Sequence, residues 1–119
     1  MLCRNTEKAS KAREEIIEAI KKDNKDFDEK MIIVMALDLS SLKSVQECAA
    51  KFTALKEPIN YLINNAGIMA LPEYKASADG YELQFAANHL GHFYLAVLLA
   101  PILVKSAPSR VIALSSRGH

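Results

Sequence analysis

Leu62-Ile63-Asn64-Asn65-Ala66-Gly67 closes a short apolar run, residues 59–63, with two amides and two of the smallest residues. A run of that length bounded by turn residues has the signature of a strand, and one without polar alternation suits a strand covered on both faces of a parallel sheet. Upstream, residues 31–37 (Met-Ile-Ile-Val-Met-Ala-Leu) form a second such run, and a third extends over residues 110–115. Helical patterns lie between them. Residues 6–22 place Ala9, Ala12, Ile16 and Ile20 on one face, with Lys, Arg and Glu elsewhere. A second amphipathic pattern, with Ser40 or Ser41 as its cap, carries Leu42, Val45, Ala49 and Phe52, and Pro58 follows it.

Beyond Gly67 a loop containing Leu71 and Pro72 leads to Asp79-Gly80-Tyr81-Glu82, which has the spacing of a capping box with Asp79 in the cap position. The helix it opens runs to about Ser106, bent near residues 88–91 and again before Pro101, where a backbone hydrogen bond is lost. Ala107-Pro108-Ser109 breaks it. Helix and strand alternate throughout, which predicts right-handed crossovers and an α/β fold: a doubly wound parallel sheet with helices on both faces.

Composition narrows the function classes. The chain has 119 residues, one domain at most, and is half hydrophobic with a formal net charge of +1. No strong field of either sign argues for nucleic acid. The first thirty residues hold eight basic and eight acidic side chains, a balance that suits a solvated helix face. Cys3 and Cys48 fit neither a C-x-x-C pair nor a zinc spacing, and read as free thiols of a reducing compartment. The longest strongly apolar stretch, residues 93–104, is twelve residues with Pro101 inside it, too short to span a bilayer. No secretory signal pattern opens the sequence.

Chemistry gathers at the strand ends. In open α/β sheets ligands sit at the carboxyl edge, where connections switch sides. Asp38-Leu39, residues 64–67 and Ser115-Ser116 each follow a strand. Ala66 and Gly67 let a flat ligand approach the backbone, and Asn65 can hydrogen-bond to neighbouring strand ends; as a generic turn the same four residues would be unremarkable. Asn88 sits inside a helical pattern, where its amide competes with the backbone. An Asp after a strand is commonly a helix cap, and a Ser pair after a strand commonly a turn.

Taken in order, Asn64-Asn65-Ala66-Gly67, then Asn88-His89-Leu90-Gly91-His92-Phe93 starting twenty-one residues past Gly67, then Arg110-Val111-Ile112-Ala113-Leu114-Ser115-Ser116, the chain resembles the middle of a short-chain dehydrogenase/reductase. Within that family it looks most like the retinol dehydrogenase and WW domain-containing oxidoreductase branch, a likeness carried also by Tyr94, by Ser106-Ala107-Pro108-Ser109-Arg110-Val111 and by Ser115-Ser116-Arg117-Gly118-His119. The resemblance implies an incomplete Rossmann-like, dinucleotide-binding domain over residues 1–119. The family's glycine-rich phosphate loop would precede Met1, and its Tyr-x-x-x-Lys pair would follow His119. None of Tyr61, Tyr74, Tyr81 and Tyr94 has a lysine four residues later.

By the same resemblance Asp38 and Leu39 meet the adenine ring, and Asn65, Ala66 and Gly67 lie under the cofactor. Asn88 distorts its helix and frees a carbonyl for a proton relay, and Ser116 hydrogen-bonds the substrate oxygen. Met1-Leu2-Cys3-Arg4-Asn5 resembles the end of the family's second strand, where an acid selects NAD and an arginine pairs with the 2′-phosphate of NADP. Arg4 stands there with no acid beside it, which favours NADP over NAD; a surface arginine at a chain end is the bland alternative. The substrate implied is a small-molecule alcohol, aldehyde or ketone, often lipophilic. The compartment implied is the cytoplasm, or the cytoplasmic face of an intracellular membrane given an upstream anchor. Family dimers use the helix of residues 81–104, from Tyr81 to Val104, so a homo-oligomer through it is a further expectation.

Two other constellations are weak. His89 and His92 have a helical spacing that can hold metal, but no further Cys or carboxylate completes a zinc site. Ser116 and His119 lack the G-x-S-x-G elbow of a hydrolase. In the family the first strand lies centrally, so without it the strands ending at Cys3 and Leu37 are separated from those beginning at Ile59 and Arg110. Either the two pairs join in a new register or they leave bare edges. The chain is then marginally stable and a poor dinucleotide binder, since the helix amino terminus that cradles pyrophosphate is not among these residues. Three functions remain open: part of a competent NADP-dependent oxidoreductase, a non-catalytic interaction module pairing with full-length subunits, and a degenerate chain.

Overall fold

The computed structural model describes residues 1–116 and divides the chain into two units, Met1–Leu37 and Asp38–His119. The first unit contains β1 (Leu2–Cys3), α1 (Thr6–Asp23), a 3-10 turn (Glu29–Met31) and β2 (Met35–Ala36). Asn5 leaves helical geometry and its side chain accepts the Lys8 backbone N–H at 2.9 Å, satisfying one of the free donors that begin α1. Lys21 and Lys22 occupy the last turn, where positive charge complements the helix dipole. Ala9 and Ile17 are buried, whereas Ile16 is 41% exposed, so the inward stripe lies one position round from the expected one.

β1 and β2 pair in parallel, Leu2 beside Met35 and Cys3 beside Ala36. The apolar run of residues 31–37 therefore yields two strand residues rather than seven, and it is not covered on both faces. Met31 is drawn into the 3-10 turn that Asp28 caps. From α1, Arg13 donates through Nε to the Ile32 carbonyl at 2.6 Å and through Nη2 to the Glu29 carbonyl at 2.5 Å. Lys21 pairs with Glu29. The backbone acceptors of this stretch are thus taken by a side chain instead of a strand, and Met31 and Ile33 stay exposed.

The second unit holds α2 (Leu42–Leu55), β3 (Tyr61–Asn64), a short α3 (Leu83–Phe85), a π turn (Ala86–Leu90), α4 (Gly91–Lys105) and β4 (Arg110–Ala113). Its core is α2 packed on α4: Val45, Cys48 and Ala49 meet a unit that buries Leu95, Leu99 and Leu103 at successive helical turns. Burial pushes the Cys48 thiol up from its ordinary value. Ser41, not Ser40, caps α2, and Asp79 Oδ2 accepts the Leu42 N–H at 2.8 Å from thirty-seven residues away.

That contact overturns the capping-box expectation. The long helix is opened by Glu82, whose carboxylate takes the N–H groups of Gln84 and Phe85 at 2.9 and 2.7 Å. Asp79 sits in a turn in which Gly80 has φ +83°, which a glycine adopts without strain. Pro101 lies inside α4 without ending it. From Leu83 to Lys105 the helix is continuous over 23 residues, long and apolar enough by length and composition to cross a bilayer, unlike the twelve-residue run read from the sequence. Its buried leucines make it the core helix of this unit.

β3 and β4 pair in parallel with Leu62 beside Val111 and Asn64 beside Ala113. Leu62 is buried while Tyr61 and Ile63 are exposed, so β3 is covered on one face, and all of β4, Val111 included, is exposed. The expected two-sided cover is absent from the described residues. Among the described residues β1 pairs with β2 in the first unit and β3 with β4 in the second.

Candidate functional site

Parallel pairing decides which loops meet. Because β3 and β4 run in register, residues 64–67 and 114–116 leave the same edge of the sheet, and the Leu114 N–H still donates to the Asn64 carbonyl at 3.1 Å past the last strand pair. Gly67 and Ser116 therefore belong to one rim. Asn65, Ala66 and Gly67 are exposed along it, as are Ser115 and Ser116. Asn65 makes no side-chain hydrogen bond among the described residues, and the Leu114–Asn64 backbone bond ties the strand ends at this point. His119, the partner considered for Ser116, lies outside the described residues.

The helix supplies the back of the site. The π turn, closed by the Gly91 N–H donating to the Ala86 carbonyl, adds a residue to one helical turn and brings Asn88 to the loop after β3. Asn88 Nδ2 donates to the Ile68 carbonyl and Asn88 Oδ1 accepts the Ile68 N–H, both at 2.8 Å. The amide thus mimics a neighbouring strand and leaves the helix backbone alone, which resolves the oddity of an Asn in that position. One turn on, His92 Nε2 lies 2.7 Å from the Ala66 carbonyl. A carbonyl only accepts, so Nε2 carries the proton and donates.

Asp38 turns to α2, and Leu39 reaches the helix at Gly91. Asp38 Oδ1 accepts from the Ser40 N–H at 2.9 Å and the Ser40 hydroxyl at 2.6 Å, while the Asp38 N–H donates to Ser44 Oγ at 2.9 Å, so the carboxylate organises the entry to α2. A Cβ on Gly91 would stand 2.9 Å from the Leu39 carbonyl carbon and Cα, with the carbonyl oxygen closer still. The helix therefore touches the Leu39 backbone directly. Gly67 is different: a Cβ there would lie 3.4 Å from Asn88 Oδ1, an ordinary contact, and its φ is not in the left-handed region.

The geometry gathers Asp38, Leu39, Asn65, Ala66, Gly67, Asn88 and Ser116 within the second unit. Arg4 belongs to the first, at the carboxyl end of β1 immediately before the Asn5 cap. The two histidines do not converge: His89 stacks between Phe85 and Phe93 at ring separations of 5.3 and 6.4 Å, while His92 turns to Ala66. Among the described residues no cluster of three His, Cys, Asp or Glu is placed to hold a metal. His92, weighed from the sequence only as a metal ligand, has a contact the sequence did not mark, because its target is a backbone oxygen. The available signal was a polar ring beside Gly91, four residues past Asn88, in a helix otherwise apolar on that stretch.

An edge of parallel strands with small exposed residues is the kind of strand edge at which α/β folds place ligands. The chain belongs to the short chain dehydrogenase family, whose profile matches residues 4–118. It is 42% identical over 119 residues to the human WW domain-containing oxidoreductase, covering all of this chain and 27% of that protein. It is 43% identical over 117 residues to mouse retinol dehydrogenase 12, covering 98% of this chain and 34% of that protein. Among solved structures, a metagenomic short-chain oxidoreductase in complex with NADP aligns with a TM-score of 0.73 at 21% identity, over 97% of this chain and 49% of the other, which bears on the fold. The chain spans about a quarter to a third of the curated relatives' length. It is a retinol dehydrogenase-like short-chain dehydrogenase stretch with an incomplete doubly wound α/β fold.

Proposed function

We propose that these residues form the centre of an NADP-dependent oxidoreductase acting on a lipophilic alcohol or carbonyl compound, and that the 119 residues alone turn over no substrate. The observation that carries this is the common rim of residues 64–67 and 114–116 on paired parallel strands, braced by Asn88. The exposed, nearly side-chain-free Ala66 and Gly67 fit a flat cofactor ring, and nothing in the fold itself requires glycine at 67. Bound NADP(H) supplies or accepts the hydride.

Each residue then has a part. Asp38 and Leu39 border the adenine, with Asp38 already held by Ser40. Arg4 pairs with the 2′-phosphate, which sets NADP above NAD. Asn65, Ala66 and Gly67 underlie the cofactor. Ser116 donates to the substrate oxygen and stabilises charge that develops there. Asn88 holds the loop that follows Gly67. The proton-donating Tyr-x-x-x-Lys pair of a complete enzyme is not found within these residues. Support for the substrate class comes from the retinol dehydrogenase among the relatives. Exposed Phe85, Phe93 and Val97 on the long helix favour a second reading, a non-catalytic module that pairs with other subunits.

A chimera tests the first reading. Mouse retinol dehydrogenase 12 carrying the matching 117-residue stretch of this chain should retain NADP-dependent oxidation of retinol. Ser116→Ala in that chimera should lower kcat by about 100-fold, the usual cost of removing a donor to a developing oxyanion. A folded chimera that binds no NADP(H) would refute the assignment.

A further inference from the structure

We infer that His92 is a positioning residue for the cofactor loop: its Nε2–H fixes the Ala66 carbonyl and so holds residues 66–68 against the π-bulged helix, together with Asn88. The inference rests on the dinucleotide reading of that loop and adds a residue to it. Asn88 and His92 stand four positions apart across the end of the π turn, so both project from one side of the helix. Asn88 grips Ile68 by both backbone groups, and His92 grips Ala66 two residues earlier. Gly67 hangs between the two grips. It has no side chain to restrict it, and no backbone hydrogen bond to another loop is formed by it among the described residues.

The bond to Ala66 does not serve to satisfy a buried group. Ala66 is exposed, so water would satisfy its carbonyl without the histidine. On the helix side the arrangement is costly: with the proton on Nε2, Nδ1 is an acceptor, and it is buried with no hydrogen-bond partner among the described residues. A side chain selected for core stability alone would be apolar here. What the imidazole adds is direction, since a single donor on a ring held in the helix wall orients the Ala66–Gly67 peptide and with it the surface presented to the ligand.

The test uses the 119-residue chain with three forms, wild type, His92→Phe and His92→Gln. Phe keeps a ring and removes the donor; Gln keeps a donor of similar reach. The Ile68 amide, bonded to Asn88, reports opening of the loop by hydrogen exchange. His92→Phe should exchange there about tenfold faster, the weight of one hydrogen bond, with Tm equal to or above wild type, and His92→Gln should restore the slow exchange. Ring 15N shifts of the wild-type histidine should show the proton on Nε2. Unchanged Ile68 exchange in His92→Phe, or a proton on Nδ1, overturns the inference, and the ring measurement stands even if a variant does not fold. Titration with NADP+, followed at the Gly67 amide, separates the two levels. Weak binding that weakens further in His92→Phe and recovers in His92→Gln supports both. A folded wild-type chimera with mouse retinol dehydrogenase 12 that binds no NADP(H) counts against the cofactor assignment, while Ile68 exchange still decides the role of His92.

Discussion

A methyl group added at Gly91 would strike the Leu39 backbone, whereas one added at Gly67 would meet only the end of Asn88 at contact distance. The first glycine is demanded by packing and the second is not. Gly91→Ala should therefore cost about 3 kcal/mol or more, because backbone on both sides must move to accept it. Gly67→Ala should change stability by no more than about 1 kcal/mol in either direction, and lose dinucleotide affinity in any longer chain that binds the cofactor. Urea melts of both variants, set beside NADP titrations, check the split. Equal destabilisation by the two would mean that Gly67 too is a packing residue. From the sequence both are simply glycines after an apolar residue, Ala66 in one case and Leu90 in the other. What separates them is the identity of a neighbour brought from fifty-two positions away in one case and twenty-one in the other.

At the start of the long helix the carboxylate of Glu82 is held below its ordinary range, chiefly by the Gln84 backbone N–H and then by that of Phe85. A lowered folded value means that Glu82 adds stability above the unfolded carboxylate pKa of about 4.3, and that this contribution is lost as pH falls through the lower folded value. Amide protection at Gln84 and Phe85 should therefore fall on acidification below about pH 4. Glu82→Gln, which keeps an acceptor but no titrating charge, should flatten that dependence. Protection that is independent of pH in wild type would show that the cap is not ionic. The helix itself was legible from its apolar period, and so was its distortion around Asn88, since an amide has no place in a regular turn. The cap was not. Asp79 and Glu82 are equivalent as a spacing, and only the Leu42 N–H, thirty-seven residues back, draws Asp79 to a different helix. The strand read over residues 31–37 is confined to Met35–Ala36 for a related cause. Hydrophobic pattern announces a wish for a neighbour, but Arg13 occupies the carbonyls at 29 and 32.

Taken as a molecule, the chain leaves much apolar surface uncovered. Tyr61, Ile63, Val111, Ile112 and Leu114 are exposed in and beside the β3–β4 pair, and Phe85, Phe93, Val97 and Val104 along the helix. Exposed apolar patches and unpaired strand edges both promote association. Sedimentation velocity from micromolar to submillimolar concentrations should show an average mass rising above 13.1 kDa, and Phe93→Lys with Val97→Glu should suppress the rise if the helix is the mating surface. A mass of 13.1 kDa throughout would remove the ground for the interaction-module reading. Parallel pairing and the shared rim were foreseeable from three apolar runs ending in small or polar residues. The open faces were not: the continuous apolar runs read as strands covered on both sides, and no local pattern reports which neighbour is missing.

The π turn at residues 86–90 reconciles two demands on one rod. Downstream, Leu95, Leu99 and Leu103 fix the rotation of the helix to the oily interior; upstream, Glu82 fixes it to the loop that enters it. Excising one residue between them would give a more regular helix with every leucine still in place. It would also turn the entire entry segment by about 100° relative to the core, the angular step of one residue. Chain length in this stretch is therefore a finer constraint than composition: an apolar substitution can be absorbed, but a one-residue deletion would swing Asn88 off its loop.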